Sequence, residues 1–384
     1  MTGVLPATSR AAALTAPGRP LELLDVEIPT VIERDALLVR MTSATLCGTD
    51  VHVADGVAGD VRDALPLILG HEMVGRIVAF GDGPRTDSLG RPLTEGDRIV
   101  WTHGMCGRCR ACVIDREPSL CDNRRRSMSE SARAYPFLNG GFSEYGYVYP
   151  TAGRVRVPDD VPDALAAASA CSLRTVMHGF ERLGRIAETD TVVVQGASPV
   201  GLFAVAKAVV EGAGRVIVIG GPAARLAVDV QWGADVCIDV GEVTSGSERA
   251  ALVKDLTDGR GAPVVLEMSG IPAAFAEGID MLRLGGRYLV VGQAHLRTVD
   301  FNPSVIMHKQ ATLIGSRSAG VDHYWKALEF LRANADRFRW DALLSSRYRL
   351  DQINEAVKAM RTWSEIKPVI AFDQARERSI SSPP

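Results

Sequence analysis

The 384-residue sequence lacks the features that would mark a membrane, secreted or nucleic-acid-binding protein. It contains no apolar run approaching the ~20 residues of a membrane helix, and its first residues do not follow the basic, apolar, small-residue order of a signal peptide. Charge of neither sign is in excess, because 43 basic residues face 46 acidic ones and the net charge is -3. We therefore expect no nucleic acid and no anionic membrane as partner, and a cytoplasmic location.

Length and hydrophobic pattern predict two domains. A chain of 384 residues exceeds what one core usually serves, and 46% apolar with 23% charged residues is ordinary for a globular protein. Short strands separated by Gly and Pro fill the chain to about residue 157, and a helical pattern follows over 163–183. The predicted division is a β-rich domain at 1–173 and 317–384, and a second domain at 174–316.

The second predicted domain is an α/β alternation. Apolar strands separated by mostly helical segments indicate a doubly wound, parallel, six-stranded sheet. These strands are predicted at 192–194, 216–219, 236–238, 264–268, 288–291 and 311–314.

A glycine-rich turn follows the first strand of this alternation. The order of strand, turn and helix places backbone N–H groups against a pyrophosphate. An ordinary tight turn is the alternative, but the position at the first of six strands favours a cofactor. The turn departs from the usual pattern at Ser198, where the middle glycine is replaced. Its residues are Gly196, Ala197, Ser198, Pro199, Val200 and Gly201.

The end of the next strand bears on which dinucleotide is bound. An acidic residue there normally binds the adenosine ribose hydroxyls, but the sequence has Gly220 and Gly221. Losing the carboxylate removes a repulsion against a 2′-phosphate, yet no Arg or Lys directly follows to attract one. Arg225 is the nearest cation. The sequence favours NAD(H) and leaves NADP(H) open.

Four of the seven cysteines occur in one short segment, as Cys106, Cys109, Cys112 and Cys121. In a reducing compartment thiols stay free, and four thiolates complete a tetrahedral zinc site. Because no position remains for a substrate, the sequence predicts a structural zinc that stabilises a lobe with little core of its own. Redox disulfide chemistry is the alternative, although evenly placed thiols suit a metal better than one exchanging pair.

A second set of chemically active side chains is spread along the chain. The six residues from Cys47 to His52 include a thiol, a hydroxyl, a carboxylate and an imidazole; His71 follows an apolar run, and Cys171 lies in the predicted helix. A site built from Cys47, His71 and Cys171 would keep a fourth position for water or substrate, as catalytic zinc does. Taken singly, each could be a buried cysteine or a hydrogen-bonded histidine.

Together these motifs resemble the zinc-dependent medium-chain alcohol dehydrogenases over residues 11–372. The resemblance implies a GroES-like first domain, a Rossmann second domain, two zinc ions per chain, and reversible hydride transfer between an alcohol and NAD(P). The segment from Cys112 to Cys121 is one residue longer than the usual pattern, and Ser198 and Gly220 also depart from it. The motifs that carry the resemblance are Cys47-Gly48-Thr49-Asp50, Gly70-His71-Glu72, the four cysteines, Cys171 with Thr175, and Gly196 to Gly201.

The resemblance also implies roles around the catalytic zinc. Thr49 would accept the alcohol proton and pass it toward His52 and solvent, whereas Asp50 would fix the ring of His71. A turn or cap residue is the alternative for Asp50. Glu72 would support the zinc from behind or bind it transiently, without being a permanent ligand.

Further residues match positions that meet the cofactor in that family. Thr175, Val200 and Val291 match positions against the nicotinamide, and Lys367 matches a cation at the pyrophosphate. The two valines could equally be core residues, and Lys367 a solvated surface lysine.

The substrate is the least defined part of the sequence-based hypothesis. Family analogy favours a secondary alcohol, cyclic and bulky, and Arg174 either meets a polar group of the substrate or forms a surface salt bridge. A zinc-free quinone or enoyl reductase, or a family member that kept the fold and lost catalysis, is the alternative function. A homodimer or homotetramer is expected, paired through the edge strand near 311–316.

Overall fold

The computed structural model describes residues 5–292 and 298–372. None of the helices in these ranges is both long and apolar enough to cross a membrane. The strands are β1 (Thr8–Leu14), β2 (Glu22–Glu27), β3 (Leu37–Thr45), β4 (Leu67–Ile68), β5 (Met73–Phe80), β6 (Arg98–Gly104), β7 (Tyr145–Val148), β8 (Ala152–Arg156), β9 (Thr191–Gln195), β10 (Arg215–Gly220), β11 (Val236–Asp239), β12 (Ala262–Glu267), β13 (Leu282–Val290), β14 (Thr312–Gly315), β15 (Arg347–Tyr348) and β16 (Val369–Ala371). The α-helices are α1 (Gly48–Ala54), α2 (Arg110–Val113), α3 (Asp163–Ala168), α4 (Arg174–Leu183), α5 (Pro199–Val210), α6 (Ala223–Gln231), α7 (Gly246–Asp255), α8 (Pro272–Met281), α9 (Ser304–Lys309), α10 (Val321–Ala333) and α11 (Ile353–Arg361).

The chain forms two compact units. The first comprises Met1–Cys171, Ala319–Arg332 and Leu344–Pro384, and the second Ser172–Ser318 and Ala333–Leu343. The sequence-based division assigned 317–384 entirely to the first domain, which is wrong for Ala333–Leu343.

Aromatic packing explains why this segment belongs to the second unit. The ring of Trp340 lies 5.0 Å from that of Trp232 and 6.0 Å from that of Phe203, between centroids. Phe338 lies 6.0 Å from Trp232 in the same way. Each such ring buries a large apolar area, so the segment is held where its aromatic side chains find partners.

The first unit is built on a sheet that brings two loops together. Its strand order is β15-β16-β3-β5-β6-β8, with β7 also pairing with β3. Strands β3 and β5 are antiparallel, and Ala44 is opposite Met73. The end of β3 and the start of β5 are therefore neighbours, so the residues after Thr45 lie beside those before Met73.

The second unit confirms the predicted doubly wound sheet. All its strands are parallel and follow the order β11-β10-β9-β12-β13-β14. The chain starts in the centre at β9 and moves first to one edge and then to the other. The order reverses between β9 and β12, and in such sheets a ligand binds outside the carboxyl ends of the strands at that point.

The predicted helix over 163–183 is interrupted. Between α3 and α4 the chain makes a π-helical turn at Ser169–Leu173, which contains Cys171. An extra residue in a turn is rare and is found mostly at functional sites, because it re-aims the side chains around it. Periodicity alone predicted one continuous helix and missed this turn.

Helix α6 of the second unit contains a carboxyl group that makes stability depend on pH. Asp229 is 0% exposed, and within the described residues neither side-chain oxygen has a hydrogen-bond partner. Burial raises the pKa of this carboxyl to about 8. The folded chain thus binds a proton that the unfolded chain releases near pH 4, and stability is lost as pH rises from about 4 to 8.

We expect Asp229→Asn to remove this dependence, because the amide stays neutral at every pH. The gain in stability over wild type should grow by up to ~1.4 kcal/mol per pH unit across the window. Melting temperatures of both proteins at pH 5 and pH 8 measure it, with the exposed Asp255→Asn as control. A difference between variant and wild type that is the same at both pH values would contradict the assignment.

Candidate functional site

Four potential metal ligands converge in the first unit. One donor atom each from Cys47, His71, Glu72 and Cys171 lies within 4.8 Å of all the others. Cys47 follows β3, His71 and Glu72 precede β5, and Cys171 is in the π-helical turn after α3, which packs on β3 and β5. The structure thus brings together the three residues predicted as ligands of a catalytic zinc.

Asp50 fixes two of these residues from behind. Its Oδ2 accepts the backbone N–H of Cys47 at 2.9 Å, and its Oδ1 accepts that of Gly70 at 3.2 Å. The same Oδ1 lies 3.3 Å from Nδ1 of His71. Because Nδ1 faces the carboxylate, Nε2 is left for a metal, as in carboxylate–histidine–zinc arrangements. Asp50 also caps α1, because it accepts the backbone N–H of Cys47. The structure thus places this carboxylate both beside the His71 ring, as predicted, and at the helix cap given as the alternative.

Glu72 is held by a buried ion pair. Its Oε2 lies 2.5 Å from Nζ of Lys367 and accepts the hydroxyl of Thr45 at 2.5 Å. Glu72 is 0% exposed and Lys367 1% exposed. The alternative that made Lys367 a solvated surface lysine is wrong, and its contact with a pyrophosphate stays a prediction.

The acid–base state of the cluster fits a bound cation. Hydrogen bonding to Cys171 and burial raise the pKa of the Cys47 thiol to about 12. Burial also raises the pKa of Glu72 to about 7. The half-buried thiols of Cys47 and Cys171 cannot both ionise beside Glu72 on the charge of Lys367 alone, and a dication among them would supply the further positive charge. Two Sγ atoms and an imidazole nitrogen are the donor set that zinc prefers.

Thr49 and His52 lie on α1 beside the cluster. The Oγ1 of Thr49 is 3.8 Å from Sγ of Cys47. Thr49 and His52 are three positions apart on the helix, so they share a face, and both are half-buried. Sequence reasoning missed Met128, whose Sδ lies 3.3 Å from Nδ1 of His71. Met128 belongs to none of the short motifs of the sequence, so no pattern selected it.

A second donor cluster is formed by the four-cysteine segment. The Sγ atoms of its members lie within 4.8 Å of one another, although the gap before Cys121 is long. The backbone N–H of Cys106 donates to Sγ of Cys121 at 3.3 Å. The amide of Arg108 also points at the Cys106 sulfur, and it lowers the pKa of that thiol to about 6. Backbone N–H groups aimed at sulfur stabilise thiolates, so this lobe fits a closed zinc site.

The glycine-rich turn of the second unit has the shape of a phosphate cradle. Gly196 has φ +112°, and a Cβ there would lie 2.7 Å from Cα of Ser269. A Cβ on Gly201 would lie 1.7 Å from the carbonyl oxygen of Gly196. Only glycine fits either position, and the space kept open lies at the N-terminus of α5, where anions bind.

Ser198 replaces the middle glycine as a helix cap. Its Oγ accepts the N–H of Gly201 at 3.2 Å and donates to the carbonyl of Met268 at 3.1 Å. The hydroxyl thus caps α5, with Pro199 as the first residue of the helix, and ties the turn to the end of β12. The departure from the usual pattern preserves the cradle.

Glu267 stabilises the loop at the same edge of the sheet. Sequence reasoning missed this residue. Oε1 of Glu267 accepts the N–H of Ser269 at 2.9 Å, its hydroxyl at 2.7 Å, and the N–H of Gly270 at 2.7 Å. These bonds hold the loop after β12, which packs on Gly196. The sequence Glu267-Met268-Ser269-Gly270 was the signal available.

The remaining predicted cofactor residues lie in the second unit. Thr175 is buried in α4, Val200 is half-buried at the start of α5, and Val291 is half-buried after β13. Gly220 is the last residue of β10, and Gly221 follows it. Arg225, on α6, is 7% exposed, and burial lowers the pKa of its guanidinium. Their contacts with a cofactor stay predictions.

Arg174, at the start of α4, is buried rather than exposed. Its Nη1 donates to the hydroxyl of Ser318 at 3.2 Å. The alternative of a surface salt bridge is therefore wrong.

Two family models match the chain. Residues 33–159 match the alcohol dehydrogenase GroES-like domain, and residues 199–333 match the zinc-binding dehydrogenase. Among curated proteins the chain is 34% identical over 340 residues to 5-exo-hydroxycamphor dehydrogenase of Pseudomonas putida, covering 87% of this chain and 91% of the relative. It is 30% identical over 334 residues to sorbitol dehydrogenase of Halalkalibacterium halodurans, covering 86% and 90%.

A solved structure shows the same fold along nearly the whole chain. An alcohol dehydrogenase from Thermotoga maritima superimposes with a TM-score of 0.87 at 34% identity. The match covers 95% of this chain and 99% of that protein, so it includes both units.

Proposed function

The chain belongs to the zinc-type medium-chain alcohol dehydrogenases, and we propose that it transfers hydride reversibly between an alcohol and NAD(P) at the cluster of Cys47, His71 and Cys171. The observation that carries the proposal is the convergence of these three donors within 4.8 Å of one another, next to a carboxylate that is already paired. Three protein ligands leave a zinc position for the substrate oxygen.

A zinc ion bound to this cluster would supply a Lewis acid, which would make the alcohol hydroxyl easier to deprotonate. The side chains of the cluster would bind and orient this ion. Its ligands would be Cys47, His71 and Cys171, and Asp50 orients the ring of His71. Behind these ligands, Lys367 offsets the negative charge of Glu72. Glu72, whose Oε2 is engaged by Lys367 and Thr45, needs no permanent bond to the metal.

The proton of the alcohol would leave through α1. Thr49, beside the Cys47 sulfur, would accept it and pass it toward His52 and solvent. Their shared helix face supports this direction, and an imidazole can both accept and donate a proton, as a relay to water requires.

We expect Thr49→Val to slow hydride transfer by about a hundredfold without loss of metal, because valine keeps the shape and removes the hydroxyl. Single-turnover reduction of the cofactor together with metal analysis measures both effects. Thr49→Ser should recover most of the rate. Unchanged rates in the valine variant would remove Thr49 from the proton path.

The four-cysteine lobe would hold a second, structural zinc. We expect Cys109→Ser to lower the melting temperature by several degrees or more and to halve the zinc content, since three thiolates bind zinc much more weakly than four. At a temperature where the variant is folded, its rate should stay within a few-fold of wild type. A variant that keeps its stability but loses turnover would assign this lobe to catalysis instead.

For the substrate we propose a secondary alcohol, with cyclic alcohols preferred. The relative named for hydroxycamphor, a cyclic secondary alcohol, and the relative named for sorbitol support this class. We also propose NAD(H) as cofactor, since the one cation within residues 221–231 after β10 is Arg225, which is 7% exposed.

A panel of cyclic, linear and primary alcohols and the matching ketones, each assayed with NAD(H) and NADP(H), tests the proposal. Primary alcohols oxidised fastest would contradict the substrate class. No turnover of any member, despite bound zinc, would favour a family member without catalysis.

We propose a homodimer or homotetramer in the cytoplasm as the working form. Strand β14 is at an edge of the second unit's sheet, so its unpaired backbone can pair with a second copy. Sedimentation of the purified protein tests the assembly.

A further inference from the structure

The position normally used to bind the adenosine ribose cannot hold an acid in this chain. Gly220 is the last residue of β10, where such a carboxylate is expected. A Cβ at Gly220 would lie 2.7 Å from the backbone nitrogen and 3.0 Å from Cβ of Ala197. The glycine-rich turn therefore occupies the space that the first carbon of an acidic side chain would need.

A carboxylate from the neighbouring strand stands next to this position. Asp239 is the last residue of β11 and is in register with Gly220 in the parallel pair. Its Oδ1 accepts the N–H of Gly241 at 2.8 Å, which fixes the side chain in a turn. A Cβ on Gly221 would lie 3.4 Å from the same Oδ1, so the carboxylate lies alongside the end of β10.

The Asp239 side chain has capacity left for a ligand. Among the described residues its one polar partner is the Gly241 amide, which bonds to Oδ1. Oδ2 can still accept, and the side chain is half-buried rather than covered. Gly220, which ends β10, and Gly221, which follows it, have no side chains that could cover this carboxylate.

Among the residues that the structure describes, no Arg or Lys forms an ion pair with Asp239. Arg225, the first cation after β10, is 7% exposed and packed in α6. An anionic group brought near Asp239 meets like charge, whereas a ribose hydroxyl can donate to it. The charge at this edge of the sheet thus discriminates between the two dinucleotides.

We propose that Asp239 replaces the missing acid of β10, accepting the adenosine ribose hydroxyls of NAD(H) and repelling the 2′-phosphate of NADP(H). The inference rests on the proposed function, which requires a dinucleotide at the carboxyl ends of these strands. The acid that selects the cofactor would thus lie at the end of β11 and not at the end of β10, where it is usually found.

The test is the binding of NADH and NADPH to the zinc-loaded enzyme without alcohol, followed by nicotinamide fluorescence. Wild type should bind NADH at least about tenfold more tightly than NADPH. Asp239→Asn keeps the acceptor for Gly241 and removes the charge, so the NADH Kd should rise about tenfold and the two affinities should become similar. Glu242→Gln removes a charge from an exposed side chain nearby and is the matched control, with no change expected.

Two results would overturn the inference while leaving the proposed function in place. One is an unchanged NADH to NADPH ratio in Asp239→Asn, and the other is an equal change in both variants, which would show a general effect of net charge. A wild-type enzyme that binds neither nucleotide would instead refute the proposed function, and the inference with it. Melting temperatures within a few degrees of wild type show that each variant is folded.

Discussion

The Cys47→Ala variant should lose alcohol-dependent reduction of the cofactor by about a thousandfold or more while keeping its fold. The loss follows from geometry, because two donors, His71 and Cys171, cannot hold zinc as tightly as three. Zinc acting as a Lewis acid contributes several kcal/mol to the reaction, and each ~1.4 kcal/mol is tenfold in rate. The zinc content should fall from two ions per chain to one, since the four-cysteine lobe is untouched.

Cys237→Ala is the matched control for this variant. Cys237 lies on β11, outside both donor clusters, and its thiol donates weakly to the carbonyl of Leu226 at 3.8 Å. Replacing it should change neither the rate nor the zinc content. If Cys47→Ala turned over at a near-normal rate, or kept two zinc ions, Cys47 would not be a ligand of catalytic zinc.

The strands of the second unit could be predicted from the sequence because each central strand is a short apolar run. Residues Val192 to Val194 of β9 are 0% exposed, as expected for a strand covered on both faces. The interruption at Ser169–Leu173 could not be predicted, since apolar spacing is compatible with either a continuous α-helix or one with an inserted residue.

The assignment of Ala333–Leu343 failed for a different reason. Phe338 and Trp340 find Trp232, which is 1% exposed, only after the chain has folded. A segment without a strand or a long helix carries no periodic signal, and sequence order placed it with its neighbours. Side-chain packing between distant residues decided its location.

The candidate site shows the same division between local and long-range information. Short motifs were enough to select Cys47, His71 and Cys171, because the residue types themselves carry the chemistry of zinc binding. Short motifs could not predict that Lys367 pairs with Glu72. Glu72 is far away in sequence, and the pairing of β16 with β3 sets Val369 opposite Thr45 and so brings the two charges together.

At pH 8, above the pKa of about 7 that Glu72 has in wild type, the Lys367→Met variant should be less stable by about 3–5 kcal/mol, because it leaves the buried Glu72 without its cation. Methionine fills a similar volume, so lost packing contributes little. For a domain of this size such a loss lowers the melting temperature by about 10 °C. Lys358→Met, on the exposed side of α11, is the control and should melt with wild type.

A second substitution separates the ion pair from other causes. In Lys367→Met/Glu72→Gln the buried charge is gone, and the amide can still accept the hydroxyl of Thr45, so the double variant should recover most of the lost stability. A double variant no more stable than Lys367→Met would show that the pair is not the cause. NADH affinity of the folded double variant then tests the predicted pyrophosphate contact: loss of binding would give Lys367 a second partner, and unchanged binding would limit its role to Glu72.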